Sequence, residues 1–354
     1  MRPHPREGDV ELKSRIDDPY LLMPLEGPLV DRYARVHDDL RISVTDRCNL
    51  RCVYCMPEAG LPWIAKPDIL TFEEITAIVG AAASIGVRSI RLTGGEPLIR
   101  RDLERLVAMI AAVPGIDDIA LSTNGLLLEA QAPALAAAGL RRVNVSLDTL
   151  HADRFTAIAR RPGLDRVLAG IDAAVAHGLT PVKINCVVMR GANDDEIEAF
   201  AALTRERAVH IRFIEVMPVV ENVEMQRDAW VSSDEVLARM NVLGELRPVP
   251  NPHGNGPART FAYDGAPGTV GVISPLAHDY CETCNRVRLS ADGHLKLCLF
   301  GDNHIDLRTP LRTGGGEEAI VEILRASMHV KPERHFLDLG QTASAMRAFS
   351  EIGG

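Results

Sequence analysis

Three cysteines stand within eight residues, at Cys48, Cys52 and Cys55 of TDRCNLRCVYCMP, and three more stand at Cys281, Cys284 and Cys298. Thiolates are soft donors that suit zinc or iron–sulfur clusters. A closed structural zinc site takes four ligands, and the first loop offers three with no histidine. Three thiolates alone leave a site too negative to serve a Lewis acid well. A four-iron cluster held by three thiolates keeps one iron open to an outside small molecule. The second set, C-x2-C-x13-C, has the same deficit, and by itself it also reads as an incomplete zinc ribbon or as surface thiols. The seventh, Cys186, lies alone in the apolar run VKINCVV and reads as a buried thiol.

Six short β-branched or apolar runs must position these residues: RISVT, SIRLT, IALST, RVNVSL, VKINCVV and HIRFIEV, between residues 40 and 217. Helical patterns separate them. Thr71 with Glu74 is a capping box, and Phe72, Ile75, Ile78, Ala82 and Ile85 follow at helical spacing with Gly86 as the stop. Asn193 with Glu196 reads as a similar helix start. Strand alternating with helix predicts an α/β fold with parallel strands, an open sheet or a partial barrel. The unusual residues follow the strands: Cys48 after the first, GGEP after the second, TNG after the third, Ser146 and Asp148 at the fourth, Met217 after the sixth. In such barrels the reactive face lies at the strand ends. Beyond RPVPNPHGNGPA the pattern becomes β-like, with a hairpin signal in LSADGHLKLCL and a last helix in EEAIVEILRASM.

This divides the chain into a flexible leader (1–36), a barrel (37–246) and a C-terminal region (247–354). The leader has no apolar signal core and no run reaches spanning length, so no membrane is expected and the cytoplasm is the default compartment. There, disulfides are not expected. A formal net charge of −9 argues against a general nucleic-acid coat, but a local Arg/Lys cluster can still hold a small anion. The Arg doublets at 100, 141 and 160 read as solvated.

Together LRISVTDRCNLRCVYCMP, RLTGGEPLIRRDL, STNG, NVSLD, IRFIEVMP, CNRVRL and the terminal IGG resemble the GTP 3′,8-cyclase family of radical S-adenosylmethionine (SAM) enzymes, over about residues 24–354. The resemblance implies a partial (β/α)6 TIM-type barrel with a C-terminal β-containing extension, and two [4Fe–4S] clusters. Cys48, Cys52 and Cys55 would hold the SAM cluster; Cys281, Cys284 and Cys298 would hold a second whose open iron binds guanine. Tyr54, Gly95, Ser146 and Met217 match positions that line SAM. Arg41, Arg91, Lys183, Arg286 and Arg288 match the GTP site, with Ser122 and Thr123 both carried as contacts. A triphosphate needs such charge-assisted donors. Gly353 and Gly354 match a tail that reaches the active site. YAR, where the family often has Gly-Arg, is a departure expected to be minor because it precedes the first strand.

The implied reaction is the first step of molybdenum cofactor biosynthesis. A 5′-deoxyadenosyl radical removes the ribose 3′-hydrogen of GTP, and the C3′ radical attacks guanine C8. The implied partners are GTP, an electron donor such as a flavodoxin or ferredoxin, and cyclic pyranopterin monophosphate synthase; a homodimer is compatible with the sequence. Two other readings compete: a peptide-modifying radical SAM enzyme with an auxiliary cluster, and a non-catalytic zinc module.

Overall fold

The computed structural model describes residues 26–217, 228–254, 256–276, 278–301 and 304–335. Residues 1–25 of the expected leader, and Gly353 and Gly354, lie outside the described residues. All six expected strands form: β1 Asp39–Ser43, β2 Ser89–Thr93, β3 Asp118–Thr123, β4 Arg142–Ser146, β5 Val182–Val188 and β6 Val209–Glu215. Helices α1 Phe72–Ser84, α2 Leu103–Ala111, α3 Leu128–Ala137, α4 Ala152–Ala159, α5 Leu164–Ala176 and α6 Ile197–Glu206 connect them. Each neighbouring pair from β1 to β6 is parallel.

The strands alternate sharply. Leu40, Ile42, Ile90, Leu92, Val143 and Phe213 are at most 1 % exposed and face the helices. The opposite residues, Arg41, Arg91, Asn144, Lys183 and Arg212, face inward. A barrel of this class usually fills its interior with branched aliphatics; here the interior is polar and cationic. The helices supply the apolar cover. α1 begins at the expected capping box, Thr71 Oγ1 accepting from Glu74 N and Glu74 returning the bond, and buries Ile75, Ile78, Val79 and Ala82.

The C-terminal region extends the same sheet at both edges. Its strands are β7 Arg247–Pro248, β8 Arg259–Ala262, β9 Thr269–Ile273, β10 Arg286–Leu289, β11 His294–Lys296 and β12 Ile305–Asp306. The order is β12-β11-β10-β1-β2-β3-β4-β5-β6-β9-β8-β7. Strand β10 lies parallel to β1 and β9 parallel to β6. The β10–β11 hairpin closes at the expected Asp-Gly turn, with Gly293 at φ +84°. Three more helices follow the barrel pattern or close it: α7 Ser233–Met240, α8 Arg308–Arg312 and α9 Gly316–Met328. Arg212 on β6 and Arg286 on β10, far apart in the strand order, line one cavity, so the sheet is curled into a partial barrel.

Two local expectations change. A helix does start at Asn193, through a 3-10 turn Asp194–Glu196 into α6, but the Asn193 side chain makes no cap bond; its amide bridges Asp148 O and Val187 O, while its carbonyl takes Met189 N–H. Glu196 is buried and accepts from Thr149 Oγ1 at 2.6 Å and Leu150 N at 2.7 Å. Both residues tie loops at the strand ends. The segment just before β1 is anchored at Leu29, Asp31 and Arg35, which are buried, and Leu29 N–H donates to Ile85 O at 2.7 Å.

Candidate active site

The loop after β1 carries the first three thiols and is clamped to the turn after β2. That turn needs glycine. A Cβ on Gly95 would stand 2.2 Å from Arg47 O, and one on Gly94, at φ +146°, would stand 2.4 Å from Thr45 O. Gly95 N donates to Thr45 O and Glu96 N to Arg47 O, both at 2.8 Å. GGEP is thus laced to the backbone just before Cys48. The Glu96 carboxylate then accepts from Thr123 Oγ1 at 2.7 Å, Asn124 N at 2.7 Å and Leu98 N at 3.0 Å. Burial lifts its pKa to about 7 against these three donors. Asn124 Nδ2 completes the link by reaching Asn49 Oδ1 at 2.7 Å.

On the other side of the loop, Tyr54 donates to Asp148 Oδ2 at 2.8 Å, and Asp148 Oδ1 accepts from Val187 N at 2.9 Å. Burial raises Asp148 to about 6, with these two bonds opposing it. The Cys52 thiol is pushed well up by burial first, then by Asp148, Cys55 and Cys48, so the three thiols share one locale. Raised thiols of this kind ionise when a metal displaces their protons. Ser146 is exposed at the end of β4, and Met217 is half-buried just past β6. Tyr54, Gly95, Ser146 and Met217 therefore meet the same rim.

The second set lines its own pocket, with Tyr280, Arg286 and Arg288. Arg286 lies 4.8 Å over the Tyr280 ring. Burial works to raise the Cys284 thiol, but Arg286 and Lys331 outweigh it and bring the pKa to about 7. Among the described residues, no three His, Cys, Asp or Glu side chains form a group that could hold a single metal ion. Each donor set is three thiolates, which suits a cluster with one open iron and falls one ligand short of a closed structural zinc site.

Between the two thiol sets runs a row of cations. Arg288, Arg41 and Arg91 are in register across β10, β1 and β2, and Arg142 follows on β4 across Ala120. Lys183 on β5 pairs with Asn144, and Arg212 lies two residues beyond its partner's level on β6. Like charges in adjacent register destabilise a sheet. Several of their nitrogens are buried with no hydrogen bond: Arg41 Nε, which lies 3.8 Å from Asp39 Oδ1, Arg91 Nε and Nη1, and Arg142 Nη1. Burial, then neighbouring Arg212, Arg142 and Arg91, drive Lys183 down to about 6. Its ammonium nitrogen reaches His253 O at 3.2 Å. Burial and then Arg41 and Arg286 bring Arg288 to about 9. Most of these cations line one cavity of about 160 Å³. Such a cavity is built for a polyanion.

The β3 end separates its two candidates. Ser122 shares the inner face with Ala120, whereas Thr123 points to the other face and donates to Glu96. Cys186 lies on the outer face, 2 % exposed, as expected. Three functional positions were missed. Arg142 of an expected solvated doublet is 4 % exposed, with Nε donating to Asp118 Oδ1 at 3.0 Å. Stepping back by twos from Ser146 would have found it. Arg212 follows the same rule on β6. The third is Arg35 of YAR, which ties the stretch before β1 to the C-terminal region. Ala34 holds φ +61°, and Arg35 donates to Asp31 Oδ2, Cys281 O and Glu333 O at 2.7–2.8 Å.

Comparison with known proteins matches residues 42–204 to the Radical SAM superfamily and residues 209–337 to Molybdenum Cofactor Synthesis C. The GTP 3′,8-cyclase of Pelotomaculum thermopropionicum is 48 % identical over 92 % of this chain and 99 % of its own. The mitochondrial GTP 3′,8-cyclase of Arabidopsis thaliana is 42 % identical over 94 % of this chain and 85 % of its own. Among solved structures, Streptococcus suis SuiB bound to S-adenosylmethionine superposes with TM-score 0.56 at 14 % identity, covering 82 % of this chain and 68 % of that one, a likeness of fold. Among the described residues no helix is long and apolar enough to cross a membrane.

Proposed function

This chain belongs to the GTP 3′,8-cyclase family of radical SAM enzymes, and from that premise we propose how its residues cyclise GTP to 3′,8-cyclo-7,8-dihydro-GTP. Cys48, Cys52 and Cys55 hold the SAM cluster, and Cys281, Cys284 and Cys298 hold a second cluster. With SAM bound and an external electron donor, these groups would supply the one-electron chemistry that removes the ribose 3′-hydrogen and joins C3′ to guanine C8, and a further electron and proton would quench the radical left on the ring nitrogen.

The chain's own residues bind, orient and shield. Gly95 lets the β2 turn touch the cysteine loop, and Tyr54, Ser146 and Met217 complete the SAM rim. Arg41, Arg91, Lys183 and Arg288 grip the triphosphate, joined by Arg142 and Arg212, while Ser122 offers its hydroxyl from the inner face. Arg286 lines both the pocket of the second thiol set and the cationic cavity, which supports guanine lying toward that set. The observation that carries this reading is the register of buried cations beside that set, several of whose nitrogens have no hydrogen bond. Gly353 and Gly354 are proposed to reach this cavity, in keeping with the family's tail. A flavodoxin or ferredoxin would supply electrons, and cyclic pyranopterin monophosphate synthase would take the product in the cytoplasm. The boundary at residue 247 would separate the SAM half from the substrate-cluster half.

Anaerobic reconstitution tests the assignment. About eight irons per chain and GTP-dependent product support it. SAM cleavage without a GTP product would favour a peptide-modifying relative, and zinc without SAM cleavage would exclude the radical reading.

A further inference from the structure

A second buried charge system lies behind Cys281, Cys284 and Cys298, away from the phosphate row. Lys331 follows α9 and is 1 % exposed. Its ammonium group donates to Arg286 O, at 2.9 Å, and to Leu297 O. Arg286 is two residues past Cys284, and Leu297 directly precedes Cys298. One side chain therefore ties together the two chain segments that carry these thiols.

Arg35 does the same for the third thiol. It bonds Cys281 O at 2.8 Å, and Pro332 O and Glu333 O at 2.7 Å, beside Lys331. The charges of this group do not balance. Asp31 pairs with Arg35 at 2.6 Å and also bonds His37 Nε2 at 3.0 Å. Lys331 bonds neutral carbonyls. A buried ammonium without a close anion is costly; the groups near enough to favour its charge are Cys284 and Cys298 first and then Asp31, which is already paired with Arg35, while Arg35 itself opposes it. Three thiolates around an iron–sulfur cluster are net anionic and supply the missing charge.

We propose that Lys331 is a positioning residue for the second cluster: it fixes the spacing of the Cys284 and Cys298 segments and, by its charge, holds that cluster at a higher reduction potential than the thiolates alone would give. This rests on the proposed second cluster. A cation beside a cluster favours the reduced, more negative state, so removing it must make reduction harder.

The test uses the full-length protein, reconstituted anaerobically, with Lys331→Gln and Lys331→Met. Gln keeps N–H donors and removes the charge; Met removes both. Iron content and a redox titration followed by electron paramagnetic resonance resolve the two clusters, the first serving as internal reference. The expected result is a more negative potential for the second cluster in Lys331→Gln, with the first cluster unmoved. Selective loss of the second cluster's iron in Lys331→Met, with the first retained, also supports the positioning role. A second cluster at the wild-type potential in Lys331→Gln would overturn the proposal. So would loss of both clusters in both variants, which would make Lys331 a staple of the whole fold. A wild-type protein with one cluster would instead defeat the functional reading on which the inference rests.

Discussion

Lys183 should make GTP binding depend on pH. In the free protein, burial and then Arg212, Arg142 and Arg91 hold it at about 6, against an ordinary 10.5. A bound triphosphate supplies the missing anion and restores the charged form. The complex then holds a proton that the free protein lacks. The lysine's contribution is fully present below about pH 6 and is lost as pH rises from there toward the higher pKa of the complex. Two units above the free pKa, at about pH 8, charging the ammonium costs ~2.7 kcal/mol, or about 100-fold in affinity. Between about pH 7.5 and 8.5 the Kd should therefore weaken about tenfold. Above about pH 7 the terminal phosphate is fully ionised and does not contribute. Isothermal titration calorimetry with oxidised, SAM-free protein avoids turnover, and buffers of different ionisation enthalpy count protons. Wild type should take up close to one proton per GTP, and Lys183→Met should abolish both the uptake and most of the slope. A flat Kd with no proton uptake in wild type would refute the reasoning.

Ala34→Gly should stabilise the fold: it removes a left-handed strain of about 1–2 kcal/mol and gives back about 0.5–1 kcal/mol in chain entropy, so the urea midpoint should rise slightly. Gly95→Ala drives a Cβ into Arg47 O and should displace the cysteine loop; iron content should fall by about half, with SAM binding lost by equilibrium dialysis. Asp148→Asn keeps its shape but weakens the bond from Tyr54, at about 1–2 kcal/mol, and should raise the SAM Kd about tenfold while leaving second-cluster iron intact.

The six barrel strands were legible because each alternates an apolar outer face with a different inner one, and because five of them end in a turn or chemistry-bearing residue. The hairpin at Gly293 and the helix around Ile320 and Leu324 followed from local signals of the same kind. Register was not legible. Arg41, Arg91 and Arg288 are separated by tens to hundreds of residues, and only parallel pairing on both sides of β1 makes them a row. Arg142 was misread for a related reason: a doublet of arginines looks solvated until the strand's inner face is known to be cationic. Asn193 and Glu196 matched a capping pattern locally, but two buried loops at the strand ends competed for their side chains and won. Arg35 and Lys331 carried no sequence signal, since their partners are backbone carbonyls whose positions depend on the whole C-terminal region.

The most direct test of the account follows one hydrogen. GTP deuterated at ribose C3′ would be incubated anaerobically with reconstituted protein, SAM and reductant, and 5′-deoxyadenosine would be analysed by mass spectrometry. The account predicts deuterium in 5′-deoxyadenosine, formed in step with the cyclised nucleotide and dependent on GTP. Deoxyadenosine that forms equally without GTP and carries no deuterium would contradict it.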